Sequence, residues 1–517
     1  MNSRIRDAAK DSYILITDVG TSLCKTILYD LECKKIAKAS YSYETQRPRP
    51  LWAQQEPQSW WQALRHTTRS VLKEGNIHAS DIAIIGIIGM GHGPVLLDSL
   101  GKPITPCLIW PDLRADKEAD FLRSKVKELG IEEKIGSRMQ GWYTAAKLLW
   151  IKENFPDKFK QVHMILLPKD YLQFKLTGNY ATDHSDAAGT QLYDGKNHRW
   201  IPELLEILQL PPEKLPELRS MSDIAGEVTA SAAEETGLAF GTKVMIGAND
   251  WETIPMGLGR MDPGDSFIYL GTAPGFRLCT DHEIKGHALF EFGFTCLPHG
   301  DLSDRWLLEG PLSAAGGAFT WYIEQFENKT AQEAQELGLF KNLETIASNI
   351  SAGADGLFFL PHLMGERCPE DPKARAVLYG LSLGHSKAHI ARAMHEGIAF
   401  ALRRAIELAE EHLGVKFMTF RAFGGGSKSL LLTNTLANVL AKRISIPTDD
   451  EVGALGLALL ASSILEHSNP NLLYERTIGT ARKVEPEDGL VKTYEGLYRV
   501  YKRIEENMTS TYRYSSN

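Results

Sequence analysis

Apolar residues recur along this chain with two periods, and their alternation predicts an α/β protein. Residues 13–17 are an apolar, β-branched run of the kind that fills a buried strand, and they lead into Asp18, Val19, Gly20, Thr21 and Ser22. Residues 25–29 and 36–43 repeat the strand pattern, so the chain opens as a β-meander with a Gly-Thr-Ser tip. A period near 3.6 takes over at 52–72, behind the proline-rich turn at 47–50, and predicts an amphipathic helix. Residues 82–88 are again a strand, followed by Gly89, Met90, Gly91, His92 and Gly93 and by a second short strand and turn at 94–98. Residues 112–152 turn helical, 165–171 read as a strand entering a helix, and 183–189 as a polar loop of small residues.

A short buried strand at 243–246 runs into Gly247, Ala248, Asn249, Asp250 and Trp251 and then into a helix rich in small residues up to Gly259. Beyond this point the pattern starts again. Residues 266–270 form a strand closed by Gly271, Thr272 and Ala273, with another strand after it, as at the opening of the chain. Such an internal repeat predicts two related lobes, one over residues 12–260 and one over 261–505. In the second lobe, 311–326 reads as a helix carrying Gly316 and Gly317, and a charged helical stretch follows to about residue 350. A strand at 356–361, a loop at 364–369 and a long helix at 389–412 come next, with Ile390, Met394, Ile398 and Ala401 on one helix face. Residues 417–423 form a strand into Gly424, Gly425, Gly426 and Ser427, with helices at 430–440 and 453–464 after it. Residues 509–517 are expected to fray.

Length and composition agree with this division. A chain of 517 residues exceeds a single core, and at about 150 residues per domain it holds two to four units. A net charge of -8 argues against a nucleic-acid partner. The six cysteines, 24, 33, 107, 279, 296 and 368, lack the paired spacing of a zinc site or disulfide framework and read as reduced thiols. The first eleven residues lack the apolar core of a secretory signal, and the apolar runs near 82–88 and 454–465 are shorter than the roughly 18 residues that span a bilayer. The expectation is a soluble, cytoplasmic protein with no membrane partner.

Four stretches carry candidate chemistry. Asp250, at a strand-to-helix junction, can accept a proton from a bound hydroxyl, or it can simply cap the helix. Asp18 at a strand end can hold a hydrated Mg²⁺, and the tip after it offers N–H groups and two hydroxyls to a phosphate; an ordinary turn uses the same residue types. The glycine cluster at 89–93 fails as a dinucleotide site, because a strand and turn follow it rather than a helix, and no acidic residue stands at the expected distance. Its glycines let a small ligand approach and His92 hydrogen-bond to it, unless His92 is structural in a tight hairpin. The glycines at 424–426, between strand and helix, let a flat ring or a phosphate reach the helix N-terminus. Lys428 after Ser427 excludes a Walker A loop.

The order and spacing of these pieces over residues 13–501 resemble the FGGY carbohydrate kinases, and within that family the bacterial xylulokinases. The resemblance is carried by residues 18–22, by Pro50, Leu51 and Trp52 with Trp60 and Trp61, by 167–171, by 185–190, by Gly365, Glu366 and Arg367, and by 423–429. It implies two ribonuclease-H-like lobes of the actin, sugar kinase and Hsp70 type around a central cleft where ATP and sugar meet. It further implies that Asp250 is the catalytic base and that Asp18 positions Mg²⁺ through water. Thr21, Ser22 and Lys25 match the first phosphate loop, and Gly271 and Thr272 the second. Gly316, Gly425, Gly426 and Ser429 match the nucleotide site; Gly91, His92, Asp250 and Trp251 fall at the sugar. The implied reaction is phosphorylation of a ketopentose, D-xylulose first, at its 5-hydroxyl. Another ketose or polyol is an alternative substrate, and a non-transferring ATPase or sugar-responsive regulator an alternative class. A homodimer is left open. Two positions depart from the xylulokinase pattern, which has Gln-Met-His-Gly where this chain has Met90, Gly91, His92 and Gly93, and Asn where it has Trp251. The expectation is that the missing methionine and the added indole compensate in volume.

Overall fold

The computed structural model describes residues 12–259, 262–299, 302–313, 316–467 and 477–514. Of these, the residues up to 259, those between 297 and 304 and those between 451 and 478 form one compact unit, and the rest form a second. The lobe boundary expected between 260 and 261 lies outside the described residues. The segment 451–478, which the repeat pattern assigns to the C-terminal lobe, belongs instead to the first unit.

The first unit is built on a seven-stranded mixed sheet. Strands β1 (Tyr13–Val19), β2 (Leu23–Asp30) and β3 (Lys35–Ser42) form the antiparallel meander, and β4 (Ile82–Gly89) lies parallel to β1. Next come β5 (Ile224–Glu227), β6 (Lys243–Met245) and β7 (Ala248–Asn249), giving the order β5-β6-β4-β1-β2-β3, with β7 also paired to β4. Both β6 and β7 run parallel to β4. Alternate side chains feed opposite faces. Ile14 and Ile16 pack with Ile84, Ile88 and Met245 against Ala454, Leu455, Leu457 and Ala458 of the helix Val452–Glu466. Leu15, Val19 and Leu28 pack on the other face against Trp60, Trp61, Leu64 and Val71 of the helix Pro57–Gly75. Each such aliphatic side chain contributes about 1.5–3 kcal/mol by leaving water.

The helix expected from residue 52 begins at Pro57, because proline holds Glu56 extended and itself fits the first helical turn. Residues 183–189, expected as a loop, contain a helical turn, His184–Ala188, because the Asp183 carboxylate accepts the Ser185 amide at 2.7 Å and caps it.

The second unit repeats the plan. Its sheet contains β8 (Ser266–Tyr269), β9 (Gly275–Thr280), β10 (Thr295–His299), β11 (Leu302–Pro311), β12 (Phe420–Phe423), β13 (Ile444–Pro447) and β14 (Thr480–Val484), of which the residues between 297 and 304 are those grouped with the first unit. The order is β10-β11-β9-β8-β12-β13-β14. Strands β8, β9 and β11 make an antiparallel meander, and β12 and β13 add parallel strands beyond β8, as β4 and β6 do beyond β1. The helices Lys387–Leu413, Leu430–Leu440 and Asp488–Tyr514 supply Ile398, Phe400, Leu436, Tyr494, Tyr498 and Tyr501 to the core around Ile268, Phe276 and Leu278. The expected pair of related α/β lobes is therefore present. The helix expected over 311–326 starts later: β11 runs to Pro311 in register with Gly275, and the α-helix Gly317–Tyr322 continues as a π-helical turn, Ile323–Glu327. The tail expected to fray from 509 stays helical to Tyr514, anchored by buried Tyr512, whose hydroxyl donates to the Arg375 carbonyl at 2.5 Å. Residues 515–517 lie outside the described residues. No described helix is long and apolar enough to cross a membrane.

Candidate functional site

In the first unit the predicted residues collect at the carboxyl end of the parallel strands, where open α/β sheets bind ligands. Val19 of β1 and Asn249 of β7 both stand opposite Gly89 of β4, one on each side of it. Asp18 and Asp250 are therefore about two strand spacings, ~10 Å, apart across the sheet, with Gly91 and His92 following the strand between them. Asp18 is held in β1 opposite Lys25 of β2. One carboxylate oxygen lies 3.4 Å from the Lys25 ammonium, and the other, Oδ1, is buried without a hydrogen-bond partner. Burial raises the Asp18 pKa above the ordinary carboxylate value, and the Lys25 charge opposes it. Lys25 also bonds Glu451 at 2.8 Å, and Lys38 reaches the second Glu451 oxygen, so the cation is already engaged. The Thr21 hydroxyl accepts the Trp110 indole N–H at 2.8 Å, the Thr21 carbonyl accepts from Gln55 at 2.7 Å, and Ser22 is exposed.

The other first-unit residues sit on a polar frame. His92 has a left-handed backbone, φ 68°. Its Nδ1 lies 2.8 Å from the Gly189 carbonyl, and its ring packs edge-on against Tyr143. Beneath it, Lys147 is fully buried, and its ammonium donates to the carbonyls of His92 at 3.2 Å and Ile109 at 2.9 Å. Burial pushes the Lys147 pKa down to about 7. Asp250 is the first residue of the helix Asp250–Gly257, but it is not the cap: the Asn249 side chain accepts the Trp251 amide at 3.0 Å. The capping alternative for Asp250 is thereby corrected. Gly91 also faces Asn249, since a Cβ at 91 would fall closer than 3.0 Å to its Nδ2. A methionine at 91 thus meets Asn249, and Asn249 is what connects position 91 to the backbone of Trp251.

In the second unit the parallel neighbours β8 and β12 end side by side. The Leu270 amide donates to the Phe423 carbonyl, and the Gly426 amide to the Leu270 carbonyl, each at 2.8 Å. Gly271, Thr272, Gly425 and Gly426 are thereby brought to one edge. Gly316 is pressed against them: a Cβ there would overlap the Gly271 carbonyl oxygen, and the Gly317 amide donates to the Thr272 carbonyl at 2.9 Å. Gly425 has open space where a side chain would stand. Ser429 is the N-cap of the helix Leu430–Leu440, accepting the Leu432 amide at 3.1 Å. The Glu344 carboxylate accepts from both the Ser429 hydroxyl at 2.9 Å and the Leu431 amide at 2.8 Å. The helix end expected to meet a ring or phosphate thus already carries an internal anion.

Elsewhere in the second unit, buried Glu366 accepts the amides of Ser313 at 3.1 Å and Arg367 at 2.7 Å, and lies 2.9 Å from His362. Burial acts to lower the His362 pKa, but hydrogen bonds to Glu366 and Glu505 raise it to about 9. The protonated form is therefore favoured by folding. Its contribution to stability is complete below the ordinary value of 6.5 and is lost as pH rises through about 9, an increment of at most about 3 kcal/mol. His362→Gln is expected to remove that increment. Denaturant unfolding at several pH values checks this, and parallel curves for variant and parent would contradict it.

Asp250, Asp18, His92 and the glycine turns were legible as residues that end strands. Lys147, Asn249, Glu344 and Glu451 were not, because their partners lie elsewhere in the sequence; only Asn249, as a helix-cap residue type, carried a local signal. Lys169 and Asp186 were legible only as parts of motifs without a role.

Both halves of the chain match family models. The N-terminal domain of the FGGY family of carbohydrate kinases matches residues 13–257, and its C-terminal domain residues 276–464. A xylulose kinase of Escherichia coli (strain K12) is 31% identical over 447 residues, 86% of this chain and 88% of that protein. A solved structure of a xyloylose kinase from Brucella ovis is similar with a TM-score of 0.86 at 29% identity, over 96% of this chain and 100% of its own. A gluconate kinase structure from Lactobacillus acidophilus gives a TM-score of 0.87 at 26% identity, over 98% and 100%. Fold and reaction class are common to these relatives, whereas the substrates they are named for differ.

Proposed function

Because the chain belongs to the FGGY family of carbohydrate kinases, we propose that it transfers the γ-phosphoryl group of ATP to the terminal 5-hydroxyl of D-xylulose, with Asp250 as general base. The observation that carries the base assignment is the division of labour at the helix start: Asn249 makes the cap, so the carboxylate next to it does not serve as the helix cap. Phosphoryl transfer asks mainly for an aligned nucleophile and neutralised charge. Asp250 takes the hydroxyl proton, His92 and Trp251 orient the sugar beside Gly91, and Thr21, Ser22 and Lys25 form the first phosphate loop. Gly271 and Thr272 form the second, with Gly316, Gly425, Gly426 and Ser429 on the nucleotide. The buried, unpartnered Oδ1 of Asp18 fits a water-held Mg²⁺, which when bound supplies charge neutralisation on the phosphates.

A neutral sugar fits the electrostatics better than an aldonate. Three cations tied to these elements are already engaged: Lys25 by Asp18 and Glu451, Lys147 by carbonyls, and Lys169 by three aspartates. The kinship to sugar kinases also sets aside the non-transferring ATPase and the regulator. A coupled assay of ATP consumption over pentuloses, hexuloses, polyols and gluconate tests the proposal, and D-xylulose is expected to give the largest kcat/KM. A larger value for gluconate or a polyol would overturn the sugar but keep the class. No consumption with any of them would overturn transfer itself.

A further inference from the structure

One buried cation in the first unit faces three carboxylates. The Lys169 ammonium lies 2.6 Å from Asp170, 3.0 Å from Asp183 and 3.4 Å from Asp186, and all four side chains are at most 1% exposed. Burial raises the pKa of Asp186 well above the ordinary value, with Lys169 opposing and Asp183 and Asp170 adding to the rise. A buried cluster of this kind is seldom the most stable filling for its volume, since apolar residues often do as well. What it supplies here is direction.

The cluster reaches the reaction site along two routes. Asp186 accepts the Asn249 side-chain N–H at 3.1 Å, and the Ser185 hydroxyl, itself donating to Asp183, accepts the Asn249 backbone amide at 3.0 Å. The other face of Asn249 accepts the Trp251 amide and starts the helix that carries Asp250. At the far end of the helical turn His184–Ala188, the Gly189 carbonyl meets His92 at 2.8 Å, and a Cβ on Gly189 would stand 3.0 Å from the His92 ring. The segment from Asp183 to Gly189 therefore holds both the proposed base and the proposed sugar-binding histidine against one buried anchor.

We propose that Asp186 and Asn249, fixed by Lys169, are positioning residues that set the direction of the Asp250 carboxylate relative to His92. The proposal rests on Asp250 being the general base, and the test separates the two. Asn249→Ser keeps an acceptor for the Trp251 amide and loses the link to Asp186. It is expected to lower kcat about 10- to 100-fold, with less than about a threefold change in sugar KM. Asp186→Leu is expected to do the same, and Asp186→Asn, which returns an acceptor to Asn249, to recover most of the loss. Asn249→Asp keeps the cap but sets a second carboxylate against Asp186. A shared proton restores the link at low pH, so this variant is expected to gain a limb in which kcat falls as pH rises.

A purely structural role would lower the melting temperature and leave kcat per folded molecule and its pH profile unchanged. Wild-type kcat and profile in Asn249→Ser and Asn249→Asp, with Asp250→Asn inactive, would overturn the positioning role and keep the base. An active Asp250→Asn would overturn the base, and the positioning role with it.

Discussion

Asp250→Asn is expected to lose on the order of 10² to 10⁴ in turnover while the sugar still binds. The substitution keeps the size and shape of the side chain and removes its ability to take a proton. It also leaves the local fold in place, since the helix Asp250–Gly257 is capped by Asn249 and its buried residues, from Glu252 to Gly257, are untouched. The loss should therefore appear in kcat, with the sugar dissociation constant within a few-fold of the parent and the melting temperature nearly unchanged. Single-turnover kinetics with calorimetric sugar binding checks both halves. Turnover near the parent level would remove Asp250 from the mechanism, whatever its place at the end of β7.

The features that could be read from the chain were those set by neighbours in sequence. The opening meander was legible because β-branched residues run together and Gly20 to Ser22 interrupt them. The helix Leu430–Leu440 was read to the residue, as its cap, Ser429, acts on an amide three positions on. Errors arose where a distant partner decides. Tyr512 holds the last helix through a carbonyl 137 positions earlier, and the helix Val452–Glu466 joins the first unit through contacts with β1, β4 and the Asp250 helix. In the site, the residues that end strands were readable, whereas the layer behind them was not. Asn249 bonds Asp186 across 63 positions and Glu344 meets Leu431 across 87, and no local periodicity records such pairs. The expected exchange of volume between Gly91 and Trp251 overlooked Asn249 for the same reason.

Gly456→Val is expected to destabilise the first unit by about 3 kcal/mol or more, with most of the protein recovered insoluble. The helices Asp250–Gly257 and Val452–Glu466 cross with their backbones in contact. A Cβ on Gly456 would overlap the Thr253 carbonyl oxygen and stand 2.8 Å from the Gly257 amide, and a Cβ on Gly257 would overlap the Val452 carbonyl. Backbone atoms of two packed helices cannot yield by changing rotamer, so the helices must separate, and the one that moves carries Asp250. Gly496→Ala provides the contrast. That glycine is exposed in the helix Asp488–Tyr514 with nothing within 4 Å of an added Cβ, so the change should stabilise by up to about 1 kcal/mol through helix propensity. Thermal unfolding of the two variants beside the parent decides the matter. If Gly456→Val melts with the parent and keeps its kcat, the two helices are not in backbone contact, and the position of Asp250 does not depend on the segment that returns to the first unit.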